Sequence, residues 1–454
     1  MKINDKADGN PTKGFFVRMI TRDISLEDCI LDLIDNSIDG AWKLEGGMPA
    51  GLSANADLSK YMIDIKIAAK QFSIVDNCGG ISLRDAKDYA FTFGRKDGDD
   101  FENYSIGVYG IGMKRAVFKL GMNTTVTSTI NTDSGLDAFK VVIDVKEWLT
   151  RKDVKNWDFK ISSATPRTEA GVSIVVDNLT EGTATSFDDP AFQKRLRRII
   201  ARDYTIHLHY GLRIVLNGKP IVGWDIEMRS SSELMPQRTH YVDLVGNDPV
   251  SVEIVAGMAA PPPDDSADAD EIDDDDAYGW YVVCNGRVVL AADKGEQSGW
   301  GTDGWPQWHG QYNGFIGLVL FTATNASLLP LTTTKRNVDV SSEVFRRARP
   351  KMRDVSRTWT AYTTLRKGDL EEAKAKEDPA AAISIFSIPA NSTFVLPTLK
   401  AVPAAPKIRN TRISYAVEPK RFRELAIALG NINMSRANLG LKTFDRVYDE
   451  EVGS

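Results

Sequence analysis

The sequence is poor in the residues that build covalent or metal-held folds. It has three cysteines, Cys29, Cys78 and Cys284, and four histidines. Three scattered thiols make neither a disulfide framework nor a zinc site, and so few imidazoles leave little scope for a histidine-based metal centre or triad. No run of about 18 apolar residues occurs, so no membrane span is expected. The opening MKINDKADGNPTKG lacks an apolar signal core, and the expected location is cytoplasmic, with reduced thiols. No internal repeat is visible. What is present suits a globular protein of two or three domains: 454 residues, 42% hydrophobic and 26% charged.

The net charge of -6 is a local feature. Residues 264–276, DDSADADEIDDDD, hold nine acidic side chains and no basic one; the rest of the chain has 53 acidic against 56 basic. That remainder is slightly basic, which permits nucleic-acid binding without requiring it. The segment 261–276 cannot build a core and is expected as a disordered acidic loop, able to shield a basic surface.

Three stretches carry chemistry. The first is ILDLIDNSIDGAW, residues 30–42. Ile30, Leu33, Ile34 and Ile38 fall at helical spacing, while Asp32, Asp35, Asn36 and Asp39 lie opposite. Asp32 and Asn36 are four apart and project from neighbouring turns, so a carboxylate and a carboxamide share one face. Ser25 reads as the N-cap, Glu27 and Asp28 suit the first turn, and Gly46-Gly47 end the helix. In the second stretch the strand FSIV runs into Asp76-Asn77-Cys78-Gly79-Gly80-Ile81, a turn at which backbone can approach a ligand closely. The third stretch, a polar segment over residues 94–106, leads to Gly107-Val108-Tyr109-Gly110-Ile111-Gly112-Met113-Lys114 and a helix. Glycines at that spacing can aim backbone N–H groups at an anion.

Taken in this order, the three stretches resemble the nucleotide-binding domain of the GHKL ATPases, the superfamily of gyrase, heat-shock chaperones, histidine kinases and MutL, with MORC proteins nearest in the glycine motif. The resemblance covers residues 14–180 and, weakly, the following region to about 345. It implies an α+β chain: a Bergerat-type α/β sandwich over residues 1–185, a transducer-like αβ domain over 186–376, then a Pro/Ala-rich linker and a C-terminal helical tail over 377–454. ATP and Mg²⁺ are the implied cofactors. Asn36 would ligate Mg²⁺, Asp76 would accept from the adenine amino group, and Gly80 and Ile81 would border the base. Asp39 completes the polar face of the helix. Gly107, Val108, Tyr109, Gly110, Ile111, Gly112 and Met113 would wrap the phosphates, Lys114 would add charge beside them, and residues 94–106 would form the lid.

The sequence departs from the family at the usual general base, a glutamate four residues before the asparagine. Here that position is Asp32, one methylene shorter. It remains the expected base, with slow turnover, since phosphoryl transfer depends mainly on positioning and electrostatics. Val172 and Ser173 follow Gly171 where a threonine is frequent, and Cys78 replaces a glycine. The family also brings a lysine from the second domain to the γ-phosphate; Lys335, in LPLTTTKRNVD, matches it. The implied function is a nucleotide-gated dimeric clamp of the MORC or MutL kind on DNA. Its contacts would come from two basic helices, one with Lys194, Arg195, Arg197, Arg198 and Arg202, the other with Arg346, Arg347, Arg349, Lys351, Arg353 and Arg357. The alternative is a chaperone-like or switch ATPase acting on a partner protein.

Overall fold

The computed structural model describes residues 11–52, 55–93, 106, 110–151, 156–264, 277–400, 413–432 and 434–453. Gly107, Val108, Tyr109, most of the expected lid and residues 265–276 lie outside that set. The chain is α+β, with twelve α-helices and two large sheets among the described residues.

Helix α1 (Lys13–Arg22) precedes α2 (Leu26–Leu44). The Ser25 side chain accepts from the Asp28 N–H at 3.0 Å. Glu27 and Asp28 occupy the first turn, where a helix N-terminus favours negative charge. At the other end Gly46 and Gly47 take φ of 79° and 124°, and their N–H groups cap Lys43 and Trp42. Strands β1 (Met62–Ala68), β2 (Gln71–Asp76), β3 (Gly121–Thr132), β4 (Gly135–Asp144), β5 (Ile161–Ser163), β6 (Gly171–Leu179), β7 (Arg213–Leu216) and β8 (Lys219–Pro220) form one sheet in the order β5-β4-β3-β6-β2-β1-β7-β8. Its pairings are antiparallel except β1 with β7. Period-two alternation sends Ile63, Ile65, Ile67, Phe72 and Ile74 into the core that holds Ile30, Leu33, Ile34 and Ile38 of α2. Helices α3 (Leu83–Asp85) and α4 (Gly112–Leu120) follow β2, and α5 (Val145–Thr150) follows β4. Then come α6 (Glu181–Asp188), α7 (Pro190–Asp203) and α8 (Thr205–His209).

A second sheet contains β10 (Gln237–Val245), β11 (Asp248–Met258), β12 (Gly279–Cys284), β13 (Arg287–Asp293) and β14 (Phe315–Thr322), in the order β10-β11-β14-β12-β13. Both faces are covered. Val255, Tyr281, Val283, Leu318 and Leu320 join the core of the first sheet. Ile254, Trp280, Val282, Val319 and Phe321 pack with Phe345, Met352 and Trp359 of α9 (Glu343–Arg366). Asn285 and Gly286 form the β12–β13 turn with φ of 44° and 77°, as the Asn-Gly hairpin pattern predicts.

Three differences from the sequence reading concern the second half. Strands β10 and β11 occupy a stretch for which no element was expected. The end of the region read as an αβ domain carries two helices, α9 and α10 (Leu370–Glu377), because Asp369 caps a new start by accepting from Glu372 N–H at 3.0 Å. The stretch beyond 377 is held to the body: β15 (Ala381–Ser384) pairs with β9 (Glu227–Ser230), and Asn391 and Val395 bridge to Arg238 and Met235. Residues 1–401 form one compact unit and residues 402–454 another. The second unit has α11 (Pro419–Ala428) and α12 (Arg436–Glu451). Helix α12 was read only as tail, although Ser435 caps it.

Candidate functional site

Helix α2 is buried almost all round. From Cys29 to Ile38 every residue is buried except Asn36, which is exposed. A helix so enclosed belongs to a core, and Asn36 is the side chain of this run that the core leaves open. The neighbouring side chains serve other ends. Ser37 donates to Asp76 at 2.7 Å, and Asp39 accepts from the Ile106 N–H at 2.7 Å, close to the glycine motif. Glu27 is paired with Arg195.

Asp76 ends β2 at 5% exposure and is the hub of the turn. One oxygen accepts from Cys78 N–H at 2.9 Å and Val172 N–H at 3.1 Å; the other takes the Ser37 hydroxyl. Burial pushes its carboxyl up, opposed by these hydrogen bonds. Val172 thus takes part through its backbone. The turn needs its glycines. Gly80 has φ of 77°, and a Cβ there would collide with the Thr129 carbonyl oxygen. A Cβ on Gly40 of α2 would lie 2.5 Å from the Cys78 carbonyl. The Ile81 N–H donates to Ser128 at 2.7 Å, and the Ser128 hydroxyl donates to the Ile81 carbonyl at 2.9 Å, fixing the exit of the turn on β3. Cys78 is buried, as are Cys29 and Cys284, and none is bridged.

Gly110 has φ of 64° and leads through Ile111 into α4 at Gly112. A Cβ on Gly112 would stand 3.2 Å from the Asp32 carboxyl carbon, so the missing side chain lets the start of α4 lie against the expected base. Met113 and Lys114 are buried, and Lys114 donates to the Ala90 carbonyl at 3.0 Å. Its ammonium ties α4 to the segment before residue 94 and does not stand open in the cleft. Arg115 is the residue that the sequence reading missed: its guanidinium meets Asp32 at 2.5 Å, with both side chains under 10% exposed.

The second sheet delivers the remaining charges. Lys335 lies on a turn closed by the Leu331–Val338 bridge, and its N–H donates to the Thr332 carbonyl at 3.0 Å. Its φ is 54°, left-handed backbone that costs a non-glycine residue on the order of 1 kcal/mol. The chain tolerates it where Lys335, 6% exposed, reaches across to α2. Its ammonium is 2.7 Å from Asp35 and 3.3 Å from Asp32. Asp35 is fully buried and also holds Arg287 and, at 2.7 Å, the Tyr204 hydroxyl. Burial pushes the Asp35 carboxyl up, but Arg287 and then Lys335 more than offset this, so it lies below the usual carboxylate range. Burial pulls Lys335 down, and Asp35 and Asp32 more than offset that. Next to this cluster Arg336 pairs with Asp28 and Asp203.

The two basic helices are partly matched within the chain. On α7, Arg195 pairs with Glu27, Arg197 donates to the carbonyls of Leu216 and Pro220, and Arg202 pairs with Asp203. On α9, Arg347 pairs with Asp243, Arg349 with Asp303, and Lys351 lies over the Tyr241 ring.

Residues 24–168 match the sequence model of a family described as histidine kinase-, DNA gyrase B-, and HSP90-like ATPase. The match takes in α2, the Asp76 turn and the glycine motif, and it ends before the second sheet. No curated protein matches the chain. Among the described residues, no helix is long and apolar enough to cross a membrane.

Proposed function

We propose that the chain binds Mg-ATP between α2, the Asp76 turn and the start of α4, and hydrolyses it slowly. The observation that carries this is the lone exposure of Asn36 between Cys29 and Trp42 of α2, beside a buried carboxylate at a glycine turn and inside the region matched by an ATPase family. Asp76 has lone pairs left after its three internal donors and can accept from an adenine amino group. Asn36 offers the single protein oxygen that Mg²⁺, which keeps most of its waters and takes phosphate oxygens, typically requires. The metal would neutralise phosphate charge. Gly110, Ile111 and Gly112 present backbone at the start of a helix, where an anion is favoured.

Asp32 is the base in this reading, with a reason for slowness. Arg115 holds one of its oxygens and Lys335 lies near the other. A water can be oriented by Asp32 only after Lys335 moves from it toward the terminal phosphate. Lys335 lies on the turn that follows β14, so the same movement would report nucleotide state to the second sheet. An ATP-dependent homodimer and a clamp on DNA remain the output we favour, by the resemblance of the ATPase region. Because Arg195, Arg202, Arg347 and Arg349 are matched internally, we place any such contact on the remaining basic side chains of α7 and α9 or outside them. A partner protein as the client is the alternative.

The test is Asn36→Ala. The exposed carboxamide makes no hydrogen bond among the described residues, so the variant should melt like wild type and lose Mg-dependent ATP binding and turnover. Turnover equal to wild type would overturn the site.

A further inference from the structure

The buried cluster at α2 is not electrically balanced. Two carboxylates, Asp32 and Asp35, face three cations, Arg115, Arg287 and Lys335, all under 10% exposed. The adjacent Arg336 and Arg202 are answered by Asp28 and Asp203, two cations for two carboxylates. One positive charge is thus left over in a site where water screens poorly. The Nε atoms of Arg115 and Arg287 are buried without a hydrogen-bond partner among the described residues, in keeping with an excess of donors.

Arg287 has no place in the catalytic set read from the sequence, yet its position is built with care. It follows the Asn285-Gly286 turn, where a Cβ on Gly286 would press into His207 and Met48. The Asn285 side chain exchanges hydrogen bonds with the backbone of Ala323, at 3.1 and 3.0 Å. Ala323 begins the segment that leads to the Lys335 turn. The two cations that share Asp35 are therefore mounted on one scaffold. Arg287 also lies over the Tyr204 ring at 5.7 Å, and Tyr204 donates to the other Asp35 oxygen.

We propose that Arg287 is a positioning residue for the terminal phosphate of the nucleotide: it is the permanent counter-ion of Asp35, which frees Lys335 to leave Asp35 for that phosphate and keeps the cluster one positive charge in excess until the phosphate arrives. This rests on the ATP reading above. Without Arg287, Lys335 would be the only cation on a fully buried carboxylate. Moving it would strand that charge, which is among the costliest changes a protein interior can undergo. Arg287 touches neither nucleotide nor water in this account; it acts through Lys335.

Counting charges gives the test. The cluster carries +1 in wild type and in Arg287→Lys, zero in Arg287→Met, and +1 again in the double variant Asp35→Asn/Arg287→Met. Titration calorimetry on the full chain with Mg²⁺ would compare ADP with the β,γ-imido analogue of ATP. Wild type should prefer the triphosphate analogue. Arg287→Met should lose about tenfold or more of that preference, as a stranded buried charge requires, while ADP affinity holds. Arg287→Lys should keep the preference. The double variant should regain it, and it also serves as the folded control, because a buried pair replaced by neutral groups is often tolerated. A merely structural Arg287 would lower both affinities by one factor, and the double variant would recover nothing; either result overturns the proposal. Wild type that binds neither nucleotide overturns the ATP reading and this inference with it. Wild type that discriminates, with a double variant that does not, overturns this inference alone.

Discussion

Replacing Asp76 with asparagine separates base recognition from folding. The side chain takes three donors, from Cys78, Val172 and Ser37. In Asp76→Asn the amide oxygen can keep both backbone N–H groups, and the new NH2 can donate to the Ser37 hydroxyl, which accepts as readily as it donates. Burial already disfavours charge at this position, so the neutral amide should cost the fold only about 1–2 kcal/mol. The nucleotide loses more. An adenine amino group that met a carboxylate oxygen would meet an amide NH2 or nothing, leaving a buried donor unpaired. That costs about 3 kcal/mol, roughly a hundredfold in affinity. Inosine triphosphate, with a keto oxygen at the same place, should behave oppositely: rejected by wild type, and gaining relative to ATP in the variant. Calorimetric titration of both nucleotides, with melting curves as the fold control, reads the result. A folded Asp76→Asn that binds ATP as tightly as wild type would refute the reasoning, as would a wild type indifferent between the two bases.

Two further outcomes follow from the same neighbourhood. His207 is fully buried, and burial lowers its pKa from 6.5 to about 4, while Trp42 donates to its Nδ1 at 3.2 Å. A histidine depressed in the fold supplies stability that is present above its unfolded pKa and is lost as pH falls through the folded value. Melting temperature should therefore drop between pH 6.5 and about 4, by the equivalent of about 3 kcal/mol, and His207→Gln should flatten that slope; an unchanged slope would mean other groups set it. Gly80→Ala places a Cβ against the Thr129 carbonyl at a φ of 77°, so soluble yield or melting temperature should fall sharply, by about 3 kcal/mol or more; a variant melting within a degree or two of wild type would mean that the turn is not held as described.

The sequence carried the parts of the site that are local. Helix α2 is legible because its cap at Ser25, its apolar spacing and its Gly46-Gly47 stop all agree. The Asn285-Gly286 turn follows the same logic: the two φ values that it demands belong to residues that tolerate them. What the sequence hid is what folding brings from far away. Arg115, Tyr204 and Arg287 reach α2 over 83 to 252 residues, and no spacing rule links an arginine after a hairpin to a carboxylate that distant; Lys335, farther still, was legible only through the family resemblance. The partners of the basic helices were hidden for a related reason. A run of arginines looks the same whether it faces solvent or is answered by Glu27 and Asp243 from elsewhere. Strands β10 and β11 escaped notice because β10 is an edge strand of mixed polarity. Helix α12 did so because its apolar residues are mostly exposed, which leaves only the cap as a signal.

The account turns on Asp32 as the group that orients water and on Asn36 beside it for the metal, and Asp32→Asn tests this most directly. The amide can still accept from Arg115, so the fold should survive at reduced stability, which a melting curve will register. Single-turnover assays with radiolabelled Mg-ATP, run beside equilibrium binding, should find ATP bound at near wild-type affinity and its cleavage lost. Cleavage at the wild-type rate by the folded variant would contradict the account and put the base elsewhere.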